Sequence, residues 1–178
     1  MRMLPIVVMC GLAAPVYAQN TMSANPLSAS LQTAWKSAAK NIRESADQMP
    51  EDGYAFKPVD GVRTFGQILA HVAGVNYVFC GAARADTTKR SEDDVEKSAK
   101  SKAEIVKALG DSLAYCDAVF AGLTDKTAAD MLDLPFDMGK GTRAMPLLIN
   151  VGHVNEHYGN LVTYFRIKGM VPPSSKGQ

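Results

Sequence analysis

One stretch near the C-terminus limits the fold more than any other. Residues 145–167 have the length and composition of a helix, yet the face that should enter a core is polar. At 100° per residue, with His153 at 0°, His157 falls at roughly 40°, Asn160 near −20°, Asn150 near 60° and Tyr164 near 20°. Leu147, Leu148, Val151, Val154, Leu161 and Phe165 flank that stripe as apolar shoulders. A plain structural bundle would place Leu, Ile and Val along it, because buried polar groups are costly unless paired or bound to something. The chain must therefore pair this stripe internally or give it a ligand.

Three further segments carry helical periodicity. In the first, Leu27, Leu31, Trp35, Ala38, Ile42 and Ala46 recur three or four apart, and Pro50 ends it. The second opens with the capping box Thr64-Phe-Gly-Gln67 and runs to about Arg84, with Ile68, Val72, Val75 and Phe79 toward the core. The third opens with a second capping box, Ser101-Lys-Ala-Glu104, and carries the stripe Ile105, Leu109, Leu113, Cys116 and Phe120. In the fourth, Pro146 is tolerable in the first turn, where N–H groups lack intrahelical partners, and Gly169 with Pro172-Pro173 stops the helix. These segments predict an all-α four-helix bundle. Residues 125–142 show no convincing strand alternation, residues 85–100 read as a solvated crossover loop, and residues 168–178 read as a loose tail.

The first eighteen residues read as a secretory signal peptide: Arg2, an apolar run from Leu4 to Val16, and the small-residue cleavage pattern Val16-Tyr17-Ala18. The run is too short to span a bilayer. Residues 19–178 then form a single domain with no membrane association after cleavage, exported to the periplasm or secreted. Cleavage removes Arg2, one of 19 basic residues, and no acid, which leaves 18 basic against 18 acidic side chains. A neutral, sparsely aromatic chain is unsuited to nucleic acid, whose binding rests on phosphate neutralisation.

Cys80 and Cys116 survive cleavage. Export implies an oxidising compartment in which they could pair; two buried apolar thiols are the alternative. If they pair, helices two and three lie level and parallel, because Cys80 is sixteen residues past Thr64 and Cys116 fifteen past Ser101. A sixteen-residue crossover spans at most roughly 55 Å, ample to retrace a helix of about 30 Å. The order is then up-down-down-up, with a long crossover between helices two and three.

His71, His153 and His157 are the three histidines of the chain. The last two, four apart, stack on one helical face. Packing helix two against helix four can bring His71 to the same point. Three imidazoles suit a divalent transition metal such as Zn, Ni or Fe and leave positions free for water or substrate. A His-x-x-x-His pair is also common on solvated faces, and a lone histidine on an apolar helix is often a satisfied core residue. His153-Val-Asn-Glu-His157 matches the inverted zinc-protease motif, but that motif needs a downstream acidic ligand, and residues 158–178 contain no Asp or Glu. A ligating imidazole usually donates its other N–H to an oxygen, so Gln67, Asn150 and Asn160 are candidates to support the ligands. Glu156 reads as a general base or a solvated residue, and Tyr164 as a proton donor or a packed core tyrosine. Gly74, one turn past His71, leaves room for substrate or close packing.

The sequence resembles the DinB-like superfamily of metal-binding four-helix bundles. The resemblance is carried by Asp47-Gln-Met-Pro50 with Tyr54-Ala-Phe-Lys-Pro58, by Arg63-Thr-Phe-Gly-Gln-Ile-Leu-Ala-His71, by His153-Val-Asn-Glu-His157-Tyr-Gly-Asn160, and by Gly169-Met-Val-Pro-Pro-Ser174. It implies an up-down-down-up bundle and a metal held by His71, His153 and His157. It also implies relatives that are thiol-dependent transferases or isomerases, or resemble hydrolases. An exported member departs from the cytoplasmic setting of the thiol-dependent ones. The expected function is thus a metal-dependent enzyme acting on a small-molecule substrate by transfer or hydrolysis. The alternatives are a non-catalytic metal-binding or stress-response bundle, and a plain interaction bundle that forms a homodimer.

Overall fold

The structure, a computed structural model, describes residues 24–88 and 90–177. The leader expected over residues 1–18 lies outside the described residues. The chain is mostly helical: α1 (Pro26–Gln48), α2 (Phe65–Arg84), the short α3 (Asp94–Ser98), α4 (Lys102–Ala121), the short α5 (Asp125–Ala128) and α6 (Ala144–Ile167). The four long helices coincide with the four periodic segments. Both expected capping boxes form: Gln67 N donates to Thr64 Oγ1 at 3.2 Å, and Glu104 N donates to Ser101 Oγ at 3.3 Å. The first turn of α1 is capped from a distance, where Asp125 Oδ1 accepts from Ser28 N at 2.8 Å.

Apolar side chains from all four long helices meet in one core. Trp35 stacks on Phe120 with ring centroids 4.8 Å apart, and its indole N–H donates to Asp117 Oδ1 at 2.7 Å. Phe65, Leu69, Leu113, Leu147, Leu161 and Phe165 are fully buried. Each such side chain contributes about 1.5–3 kcal/mol on leaving water. α2 is long and apolar enough to cross a membrane by composition, but 78% of that stretch is buried within the bundle, as expected of a central helix. Cys80 of α2 and Cys116 of α4 form a disulfide with Cα atoms 5.5 Å apart.

Three segments differ from the sequence reading. Residues 125–142 contain α5 and an antiparallel hairpin, β1 (Met131–Asp133) and β2 (Lys140–Thr142), with Leu132 opposite Gly141. Three-residue strands are too short to display alternation. The crossover is not simply solvated: it contains α3, and its backbone lies on α2 at Gly74, where an added Cβ would come within 2.0 Å of Glu92 O. Gly74 thus makes room for main chain, not for substrate. The C-terminal segment is docked: Pro172 and Pro173 are buried, Gln48 Nε2 donates to Val171 O at 2.7 Å, and Ser174 N donates to Tyr158 Oη at 2.8 Å.

Candidate metal centre

α2 and α6 hold the site between two clamps. At one end Phe65 meets Phe165 edge to face, with centroids 5.4 Å apart. At the other, Asn150 Nδ2 donates to Asn76 Oδ1 at 3.0 Å. His71 sits between the clamps on α2, and His153 and His157 sit between them on α6. His153 Nε2 lies 3.2 Å from His71 Nε2 and 3.0 Å from His157 Nε2. One nitrogen from each ring lies within 4.8 Å of the others. Nitrogens bound about 2.0–2.1 Å from a single ion lie about 3–3.4 Å apart for octahedral to tetrahedral angles. The donor set therefore fits one divalent transition metal.

Electrostatics support that fit. Burial and the neighbouring rings push the His153 pKa down to about 3, and burial followed by the field of His71 pushes His157 down to about 4. Burial and Arg63 also lower His71, against the opposing pull of Glu96 and Asp93. All three rings are neutral at neutral pH, the form a metal requires. Neutral imidazoles with Nε2 atoms this close either share a proton or turn lone pairs toward one another. A proton on His153 Nε2 can be directed at one neighbour, yet it has two. A cation relieves all three at once.

The supporting residues named from sequence take different places. Asn160 Nδ2 is 3.5 Å from His157 Nδ1, beside the site but at the limit of a hydrogen bond. Gln67 remains in the capping box, its Oε1 accepting from Thr64 N at 2.8 Å. Asn150 turns away from the histidines: beyond Asn76, its Nδ2 lies 3.6 Å from Cys80 Sγ and 3.7 Å from Cys116 Sγ. Glu156 is exposed on α6, and its charge opposes the lowering at His157. Tyr164 is buried, and its hydroxyl donates to Arg63 O at 2.7 Å. His71 Nδ1 and His153 Nδ1 are buried without a hydrogen-bond partner among the described residues.

Two groups escaped the sequence reading. Asn76 is fully buried on α2; its signal was a lone amide inside the apolar run Val72–Phe79. Arg63 immediately precedes Thr64, the N-cap of α2, and lines a cleft of about 380 Å³ together with His157, Asn160, Thr163 and Tyr164. Spacing along the chain gave no sign of that cleft, because the loop before α2 and the end of α6 meet there only in the fold.

Three converging imidazoles on a helical bundle, beside a small-molecule-sized cleft, define a candidate metalloprotein of the all-helical class. The chain belongs to the DinB superfamily, whose sequence pattern it matches over residues 34–161. Among solved structures it is similar to a DinB-like protein from Bacillus cereus, with TM-score 0.65 and 17% identity over 80% of this chain and 93% of that one. A DinB-like protein from Bacillus subtilis is similar at TM-score 0.62 and 17% identity, covering 80% of this chain and 94% of that one. A mycothiol-dependent maleylpyruvate isomerase is similar at TM-score 0.62 and 12% identity, covering 75% of this chain but 60% of the isomerase. At these identities the likeness is one of fold. No curated protein matches the chain.

Proposed function

We propose that this chain is an exported metal-dependent enzyme that holds one divalent transition metal on His71, His153 and His157 and acts on a small molecule by transfer or hydrolysis. The observation that carries this reading is the approach of three neutral Nε2 atoms, 3.0 Å and 3.2 Å apart at the two His153 contacts. An up-down-down-up bundle order belongs to the proposal and is supported by the Cys80–Cys116 bond, which sets two points level that are similarly distant from their helix starts. That disulfide also supports export, since such bonds persist in oxidising compartments. A divalent ion here supplies Lewis acidity for activating a water or thiol, or for polarising a substrate oxygen. The chain's own residues do the rest. His157 faces the cleft, Asn160 and Thr163 offer polar contacts at its wall, and Pro58, Val62 and Ile68 form its apolar side. Tyr164 holds the Arg63 backbone, so its proton is engaged in positioning.

The test is elemental analysis of untagged mature protein reconstituted with Zn, Ni or Fe. About one ion per chain is expected, lost in the His153→Ala variant. Failure of every metal to bind at near-stoichiometric level overturns the site. Stoichiometric metal without turnover in transfer and hydrolysis assays overturns the enzymatic half and leaves a non-catalytic metal-binding bundle.

A further inference from the structure

The cleft beside the histidines has a chemical polarity of its own. Arg63 is the one charged side chain among its lining residues at neutral pH, and it is positive. Its placement is fixed twice. The Tyr164 hydroxyl donates to Arg63 O at 2.7 Å and sets the backbone. Glu96 Oε2, carried on α3, accepts from Arg63 Nε at 3.1 Å and sets the side chain. The two terminal nitrogens carry no hydrogen-bond partner among the described residues, and the side chain keeps 41% exposure. A guanidinium held by Nε presents its Nη1–Nη2 edge as a planar fork, which matches the two oxygens of a carboxylate. The field of Arg63 reaches the rings as well, disfavouring a proton on His71, His153 and His157 alike.

We propose that Arg63 is a specificity-determining residue that binds the carboxylate of the cleft's ligand, which makes the ligand class small organic acids. The proposal rests on the histidines being an ion site, since His157 and Arg63 line the same cleft and an ion held there would meet the same ligand. Size and lining agree. A cleft of about 380 Å³ is near the lower end for ligand pockets, and its apolar wall of Pro58, Val62 and Ile68 suits a compact carbon skeleton. Arg63 carries the one charge of the lining, and with its Nε side paired to Glu96 its free Nη edge is matched to a single carboxylate. A phosphate ester, with more charge and more acceptors, would call for further donors.

The experiment uses the full mature chain, zinc-loaded and zinc-free, with zinc content measured first. Benzoate, its neutral isostere benzamide, and inorganic phosphate are titrated by calorimetry into wild type, Arg63→Gln, Arg63→Lys and Glu96→Gln. Benzoate is expected to bind wild type at least about tenfold more tightly than Arg63→Gln, the worth of a charge-assisted pair at a partly exposed site. Arg63→Lys should recover part of the difference, and benzamide should not distinguish the variants. Glu96→Gln, whose amide oxygen can still accept from Arg63 Nε, should weaken benzoate binding less than Arg63→Gln does. Thermal unfolding and zinc content of each variant confirm that the fold and the ion site persist; if Arg63→Gln does not fold, the Arg63→Lys comparison carries the test. Equal benzoate affinity in wild type and the Arg63 variants overturns the proposal, as does phosphate binding more tightly than benzoate. Failure of zinc to load overturns the metal reading instead, and the zinc-free titrations then decide Arg63 alone.

Discussion

Two polar clusters lie inside this bundle, and they differ in where their hydrogen-bonding capacity goes. In the first, Ser112 of α4, Asn76 of α2 and Asn150 of α6 form a chain: Asn76 Nδ2 donates to Ser112 Oγ at 3.1 Å, and Asn150 Nδ2 donates to Asn76 Oδ1 at 3.0 Å. All three residues have 0% exposure, and the Cys80–Cys116 disulfide closes the group. In the second, His71, His153 and His157 turn nitrogens toward one another, partly open to a cleft. The first cluster uses its polarity on itself, with Asn150 Oδ1 as the exception. The second turns three ring nitrogens toward one point. Buried polarity that is mutually satisfied fixes register between helices, whereas buried polarity that converges unsatisfied marks a place for a ligand.

That contrast breaks most sharply at His153, which touches both other rings. His153→Ala should lower metal affinity by more than about 100-fold, above the range for losing a residue that merely supports a ligand, while metal-free stability changes little or rises. Competition against a zinc-sensitive dye reads the affinity, and an affinity within tenfold of wild type would merge the two clusters into one structural class. The disulfide should behave oppositely. Replacing both cysteines by serine should cost about 3 kcal/mol of unfolding free energy yet leave metal affinity within a few-fold, as denaturant titration and the same dye would show. Asn76→Ala comes next, at about 2 kcal/mol, because Asn150 and Ser112 both lose their partner. If the loss of stability is matched by loss of metal, the amide chain is part of the site after all. Asn160→Ala should have the smallest effect, at most about tenfold in metal affinity, given its long contact to His157.

Acid sharpens the same comparison. The histidine pKa values are depressed in the folded chain, so the unfolded chain binds more protons between the folded values and the ordinary 6.5. Stability of the metal-free protein is therefore full above about 6.5 and is lost as pH falls through the window toward the folded values near 4 and 3. The His153→Ala variant should show a shallower decline over that window in pH-dependent unfolding. The amide–disulfide cluster has no titrating group and contributes no slope.

The four long helices and both capping boxes were legible because periodicity and N-terminal signals are local. So was the grouping of the histidines, since a polar stripe on an otherwise apolar helix has few uses. The same stripe misled at Asn150: it lies on the same face as His153, but its height along α6 puts it at the disulfide. A helical wheel records direction and discards depth. The hairpin, the seat of the crossover on Gly74 and the docking of Pro172–Pro173 depend on contacts between distant segments, which no local pattern encodes. Arg63 was hidden for the same reason.

The bond between Cys80 and Cys116 has a consequence for the connection it encloses. The stretch from Asp86 to Ser98, with the exposed residues Thr87, Thr88 and Lys97, lies inside a covalent ring closed by that bond. A protease that nicks the stretch once opens the ring without separating the pieces. Under non-reducing electrophoresis the cut chain would still migrate as one species, with His71 tethered to the fragment that carries His153 and His157.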